Sequence, residues 1–281
     1  MKKISLLFLQ KKNIVIKNRL WKFIKLKNNN LILGRFSHFD KSKIEISGSN
    51  NILYCDDNVF LKDSCIRFVG NNSLVFLKRG TYTLNMLLHN NSTLYIGEYN
   101  YFNPYRKKST IVLSEGKNIF IGNKGAFSFG LSFNTSDEHS IYDVISYKRI
   151  NDAKSVYIGD HVWIGKNVTI LKGVQIHSGS IIGAQSLVSN KDIASNEIWA
   201  GVPVKKIKDG VFWTSECVND CTLDEIFEKS CYQNDDHIYK PDESTILFET
   251  IEETLNSCEN VYDKYLYLKN LGDDKNRFSK C

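Results

Sequence analysis

Between residues 158 and 188 an aliphatic residue returns at every sixth position: Ile158, Ile164, Ile170, Ile176, Ile182 and Val188. Cut into sixes, the stretch reads IGDHVW, IGKNVT, ILKGVQ, IHSGSI, IGAQSL, with a small or β-branched residue often four places after each aliphatic one. A period of six fits neither the ~3.6-residue repeat of a helix nor the alternation of a simple strand. It fits a solenoid of short strands, three to a coil, in which each strand turns one aliphatic side chain inward and successive coils stack those side chains into a core.

Upstream the pattern is looser. GSNNILYCDDNVFL, GNNSLVFLKRGTYTL, HNNSTLYIGEYNYF and EGKNIFIGNKGAFS read as versions of one unit. Aligned on Ile52, Leu74, Leu94 and Ile119, they lie 22, 20 and 25 residues apart, longer than three hexapeptides, so each coil carries a small insertion. The pattern predicts one solenoid over 32–208. From 209 onward the period stops. Ile246, Phe248, Ile251 and Leu255 follow helical spacing with Thr245 as a candidate cap. The extension 209–281 is therefore expected to hold one or two helices and to cover the open end of the solenoid.

One stretch breaks the rhythm. FNTSDEHSIYDVISYKRI, residues 133–150, contains no glycine and presents His139 between Asp137 and Asp143. The segment 131–154 is too long and too polar for another corner, so it projects as a loop held at both ends by a rigid scaffold, a common setting for catalytic groups.

The hexapeptides over 119–208, TSDEHSIYD followed by IGDHVWIG, and the closing GVPVKKIK resemble the hexapeptide-repeat acyltransferases, in particular those that acetylate sugar hydroxyls. The resemblance implies an all-β fold, a left-handed parallel β-helix with a projecting catalytic loop, assembled as a homotrimer with sites between subunits. It implies acetyl-CoA as co-substrate and a sugar or surface polysaccharide, such as a sialic-acid-containing capsule or an O-antigen, as acceptor. It makes His139, 24 residues before Trp163, the general base. An imidazole, with an ordinary pKa of about 6.5, suits removal of a proton from a hydroxyl that attacks an already activated thioester. Asp137 or Asp143, or a main-chain carbonyl, would fix its tautomer. The Trp163 indole or a main-chain N–H would donate to the oxyanion. Gly165, Lys166, Gly183, Ala184, Ser189 and Asn190 match the family's coenzyme A groove, where small residues let a pantetheine arm approach the backbone. Lys205 and Lys208 match its phosphate-contacting cations. His161 and His177 read as ordinary repeat positions.

Other uses of the same solenoid are weaker matches. An amino-sugar N-acetyltransferase would use the same base and donor, but Glu138-His139-Ser140 stands where small-sugar enzymes carry Gly-His-Pro. A γ-class carbonic anhydrase needs paired histidines, whereas His139, His161 and His177 are separated by 22 and 16 residues. A non-catalytic scaffold is the third alternative.

Composition adds three points. The net charge of +6 is concentrated at one end: residues 1–30 carry nine Lys or Arg and no acid, while the remainder carries 28 bases against 31 acids. The basic segment 1–31 would suit an anionic polymer or peripheral association with a membrane surface, and nothing points to nucleic acid. The apolar run Ile4–Leu9 is short and no small-residue cleavage site follows it, so a cytoplasmic protein is expected. The seven cysteines are odd in number and irregular in spacing, as reduced thiols are; Cys217, Cys221, Cys231 and His237 match no zinc pattern, and no metal is expected.

Overall fold

The computed structural model describes residues 9–10, 13–15 and 23–281, apart from 106, 217, 218, 220, 229 and 230. Most of the basic segment 1–31, and Cys217 of the rejected zinc set, lie outside the described residues.

The chain winds into a parallel β-helix with three flat faces. The first face is a nine-stranded sheet in which Lys43–Ile46, Cys65–Phe68, Leu84–Leu88, Ser109–Leu113, Ser132–Asn134, Thr169–Ile170 and Leu187–Val188 stack in parallel. The second and third faces are the two halves of a 16-stranded sheet, continuous with each other through the long strand Ile52–Lys62. The second face continues through Leu74–Leu77, Thr93–Ile96, Asn118–Ile121, Val156–Ile158, Gln175–Ile176 and Asp192–Ile193. The third continues through Gly80–Tyr82, Asn100–Phe102, Ala126–Phe127, Trp163–Ile164, Ile181–Ile182 and Ile198–Ala200.

The period-six column is the core: Ile158, Ile164, Ile170, Ile176, Ile182 and Val188 are fully buried in one apolar cluster with the upstream inward residues. Corners are made by residues that tolerate a positive φ at low cost, among them Asn50, Asn72, Asn91, Asn167 and Asn196. Their polar neighbours do not go unpaired. Asn30 Oδ1 accepts from the Asn51 amide at 2.9 Å, Asn51 Oδ1 from Ser73 at 2.9 Å and Ser73 Oγ from Ser92 at 3.1 Å, so each coil caps the next.

The upstream register differs by one residue from the alignment predicted on sequence. Ile52 pairs with Leu74 as expected, but Leu94 lies opposite Val75, which lies opposite Leu53. The inward column is therefore Leu53, Val75, Leu94, Ile119 and Val156. Ile52 and Leu74 point outward and are also buried. The strands of this face are apolar on both sides, which leaves sequence alignment without a polar mark to fix the register.

What covers the outer side is the C-terminal extension. It holds a short helix α1 (Leu223–Glu228), then α2 (Phe248–Ser257) and α3 (Val261–Lys269). Thr222 and Glu225 form a capping box at α1. Thr245 does not cap α2: its Oγ1 accepts from the Asp242 amide at 2.9 Å, and Leu247 precedes the helix. The extension does not close the end of the solenoid. Phe248, Ile251 and Leu255 of α2, Val261, Tyr265 and Leu268 of α3, and Phe278 pack along the second face. There they meet an outward ladder of Tyr54, Phe76, Tyr95, Phe120 and Tyr157, whose neighbouring ring centroids lie 4.3–6.3 Å apart. Glu252 accepts from the Tyr157 hydroxyl and from Asn118 Nδ2.

Arg277 is the polar clasp. Its side chain is fully buried, forks onto Asp160 at 2.8 Å through Nε and Nη2, and reaches Asp273 at 2.8 Å. Arg277→Met should leave Asp160 buried without its cation and destabilise docking of the extension by about 3–5 kcal/mol. Urea melts of parent and variant measure this; equal stability would mean that the apolar ladder alone holds the extension.

Candidate active site

The predicted loop leaves the first face after Asn134 and rejoins the second at Val156, so it stands on the edge between those faces. Asn151 ties its two limbs together. Its Nδ2 donates to Asp137 Oδ2 at 2.9 Å and to the His139 carbonyl at 2.8 Å, while its Oδ1 accepts from the Ile141 amide at 2.8 Å. Lys172, from the next coil, donates to Asp137 and, at 2.9 Å, to the Asn151 carbonyl. Arg149 forks onto Glu115 of the preceding coil at 2.6 and 2.9 Å. The loop is thus riveted to coils on both sides.

His139 is exposed in the first limb of the loop, beside the Asn151 tie, and its imidazole has no hydrogen-bond partner among the described residues. Glu138 before it takes a positive φ of 66°. Neither candidate carboxylate orients the ring. Asp137 faces Lys172 and Asn151, which hold its carboxyl below the usual range, and meets His139 only through the His139 amide and its own carbonyl, at 2.8 Å. Asp143 caps its own turn, accepting from the Ser146 and Ile145 amides, and is likewise held low by the Ser146 amide and hydroxyl and by Ile145.

Trp163 stands on the third face, 45% exposed. In a three-sided coil the edge that carries His139 lies opposite that face, so one chain does not bring the two together. Gly165, Lys166, Gly183 and Ala184 stack on the edge between the third and first faces. A Cβ on Gly165 would come within 2.6 Å of the Ala184 amide nitrogen, and one on Gly183 within 2.7 Å of Ala200 Cβ, so this edge requires glycine for coil-to-coil approach. Ser189 and Asn190 lie on the His139 edge instead, and Asn190 Oδ1 accepts from Lys154 Nζ at 3.0 Å. They do not continue the small-residue column. Lys205 and Lys208 flank the end of the third face on an antiparallel strand; Lys206 between them pairs with Glu197 at 2.9 Å, while neither Lys205 nor Lys208 has a carboxylate partner among the described residues.

His161 and His177 are more than ordinary repeat positions. Both are buried, and burial lowers the pKa of each. His177 contacts the Phe278 carbonyl at 3.2 Å and Asp192 at 3.1 Å, whereas His161 is stacked between Trp213 and His237. The sequence reading missed Asn151, Lys172, Arg149 and Trp213 because each acts across coils, where no spacing marks the contact.

A family model described as bacterial transferase hexapeptide (six repeats) matches residues 155–190. The crystal structure of the polysialic acid O-acetyltransferase OatWY is 30% identical, covers 66% of this chain and 86% of its own, and superposes with a TM-score of 0.57. The chain belongs to the hexapeptide-repeat acetyltransferase family. The polySia-specific acetyltransferase NeuO gives a TM-score of 0.62 at 29% identity over 71% of this chain and 93% of its own. The polysialic acid O-acetyltransferase of Neisseria meningitidis is 30% identical over 141 residues, 48% of this chain. That match spans 61% of the meningococcal protein, less than two thirds of its length.

The electrostatics of the loop give a test. Arg149, then the Ser136 hydroxyl, hold the Glu115 carboxyl down at about 2. Because the folded value lies below the unfolded one, the contact supports the loop above the ordinary carboxyl range and is lost as pH falls through about 2. Glu115→Gln should reproduce the acid state at neutral pH. Exchange of the Ile150 amide, bonded to the Ile141 carbonyl at 2.9 Å, should then speed up about two- to fivefold, the scale of an exposed ion pair; hydrogen exchange read by mass spectrometry reports it.

Proposed function

We propose that this protein transfers an acetyl group from acetyl-CoA to a hydroxyl of a bacterial surface polysaccharide, with a sialic-acid-containing polymer as the first acceptor to try. The observation that carries this reading is the loop itself: an exposed, unpartnered imidazole fixed to a rigid β-helix whose relatives acetylate polysialic acid. His139 takes the proton of the acceptor hydroxyl as its oxygen bonds to the thioester carbonyl carbon. The tetrahedral oxyanion collapses, the C–S bond breaks, and the departing thiolate takes the proton back from the imidazolium. No acyl-enzyme is needed, and Trp163 or a main-chain N–H supplies the donor to the oxyanion. The donor's pantetheine arm lies on the Gly165–Gly183 edge, with Lys205 and Lys208 at its phosphates. With acetyl-CoA as donor, the same reading expects the reaction in the cytoplasm.

The reading also calls for a homotrimer. His139 and Trp163 stand on opposed parts of one chain, so a complete site takes one residue from each of two copies. The second face is already covered by the extension, which leaves the first and third for neighbours. Val144, Ile145 and Tyr147 on the His139 loop are 83%, 86% and 81% exposed, apolar surface that fits insertion against a second subunit.

His139→Ala should lower kcat about 10²–10⁴-fold while leaving acetyl-CoA binding intact. Trp163→Ala should be similarly impaired. Mixed oligomers from co-expressed His139→Ala and Trp163→Ala subunits should regain part of the activity, because one interface in such a trimer keeps both residues. Mixed oligomers as inactive as their parents would mean that the two residues do not meet between subunits. Lys205→Ala with Lys208→Ala should raise the KM for acetyl-CoA more than it lowers kcat, since phosphate contacts persist through ground and transition states alike; steady-state kinetics at saturating acceptor separates the two.

A further inference from the structure

The repeat pattern does not account for the rings that flank Trp163. Trp213 belongs to the segment after the last strand of the solenoid. Its indole lies flat on the His161 imidazole, centroids 4.1 Å apart and planes 2° apart, and His237 stacks on the same imidazole at 4.4 Å. The Trp213 indole N–H donates to the His161 carbonyl at 2.9 Å, and His161 Nε2 meets the Trp213 carbonyl at 3.0 Å. A carbonyl can only accept, so Nε2 carries a proton and the pair is closed in both directions. Asn196 pins the surrounding chain through the Val211 and His237 carbonyls at 2.9 and 2.8 Å and the Tyr239 amide at 2.8 Å. Trp213 is therefore held rigidly, yet it remains partly open to solvent beside the exposed Trp163. The two indoles are 6.0 Å apart and tilted by 47°, an open aromatic corner.

The position of that corner says what it can serve. Trp163 stands on the third face between two edges. The edge toward the first face carries the Gly165–Gly183 column, the side open to a pantetheine arm. Trp213 closes the other edge, on the side of His161 and Asn196. A pyranose ring presents a patch of C–H groups that packs on the electron-rich face of an indole and leaves its hydroxyls at the rim. A site formed in advance from two fixed rings also loses little entropy on binding.

We propose that Trp213 and Trp163 form an acceptor-sugar subsite that holds a pyranose ring of the polysaccharide, so that the segment after the solenoid takes part in choosing the acceptor. This rests on the assignment of acetyl transfer to the Trp163 site. Trp213 is then a specificity-determining residue, separate from the proton transfer at His139.

The test uses polysialic acid as probe and the full-length chain. Trp213→Leu should raise the KM for polysialic acid about tenfold, the scale of one lost ring contact, with the KM for acetyl-CoA unchanged. Trp213→Phe keeps a ring on His161 and should recover most of the loss. In the His139→Ala background, without donor, polysialic acid should change the tryptophan fluorescence, and Trp213→Phe should weaken that response. A merely structural Trp213 would disturb both Michaelis constants together, and that result overturns the proposal. So does an acceptor KM unchanged in both variants, or no fluorescence response to polysialic acid in the His139→Ala protein. An active His139→Ala enzyme would instead sink the assignment of the base, while the fluorescence titration would still decide the subsite.

Discussion

Each coil can bury its single inward row only against the coils above and below it. That one constraint fixes the rest of the molecule. It holds the parallel ladders in register, because a slip of one residue would turn every aliphatic side chain outward. It sets the corners, where asparagine and serine side chains cap the amides of the next coil. It also makes the scaffold stiff enough for a loop such as 135–155 to keep its shape while standing in solvent. The rivets of that loop are contacts between coils: Lys172 below and Glu115 above are near it only because the stack is in register.

The second face adds a condition of its own. It is apolar on both sides, so the solenoid alone would leave the ring ladder from Tyr54 to Tyr157 in water. The C-terminal extension buries that ladder and is clasped by Arg277 on Asp160, with Lys78 and Asn123 meeting Asp273 at 3.4 and 3.1 Å around it. An extension bound along a flank differs from a cap at the end in its consequences. It covers one of three faces and brings Trp213 and His237 to the edge beside Trp163.

The loop holds an exposed histidine in place without a carboxylate partner on its ring. Asp137 and Asp143, the two aspartates that bracket His139, are engaged by Lys172, Asn151 and a local turn. What they and Asn151 fix is the main chain on either side of His139, while the imidazole stays free. The free imidazole and the exposed Trp163 stand on opposed parts of the chain.

The sequence by itself determined the fold and the place of the loop. A period of six can be satisfied by few folds, and Ile158 to Val188 bury as that period requires. The break at 133–150 marks a departure from the scaffold because a long polar insertion has no room inside a coil, although the expected loop 131–154 starts too early: Leu131 and Phe133 are in the core and the chain leaves only after Asn134. The outward row stands in ILY, LVF, LYI, IFI and VYI, where apolar residues occupy both sides of each strand, but a period of six marks only the inward one. Nor does the sequence say what covers that row, since nothing in one strand names its partner. Only the tertiary structure decided that Leu53 and Val75, not Ile52 and Leu74, face inward, and that the extension runs along a flank. The same holds for the separation of Ser189 and Asn190 from the Gly165–Gly183 edge, and for the stacking of His161 under Trp213. Each depends on residues brought together across coils or from the far end of the chain, and sequence spacing records neighbours along a strand, not neighbours across a stack.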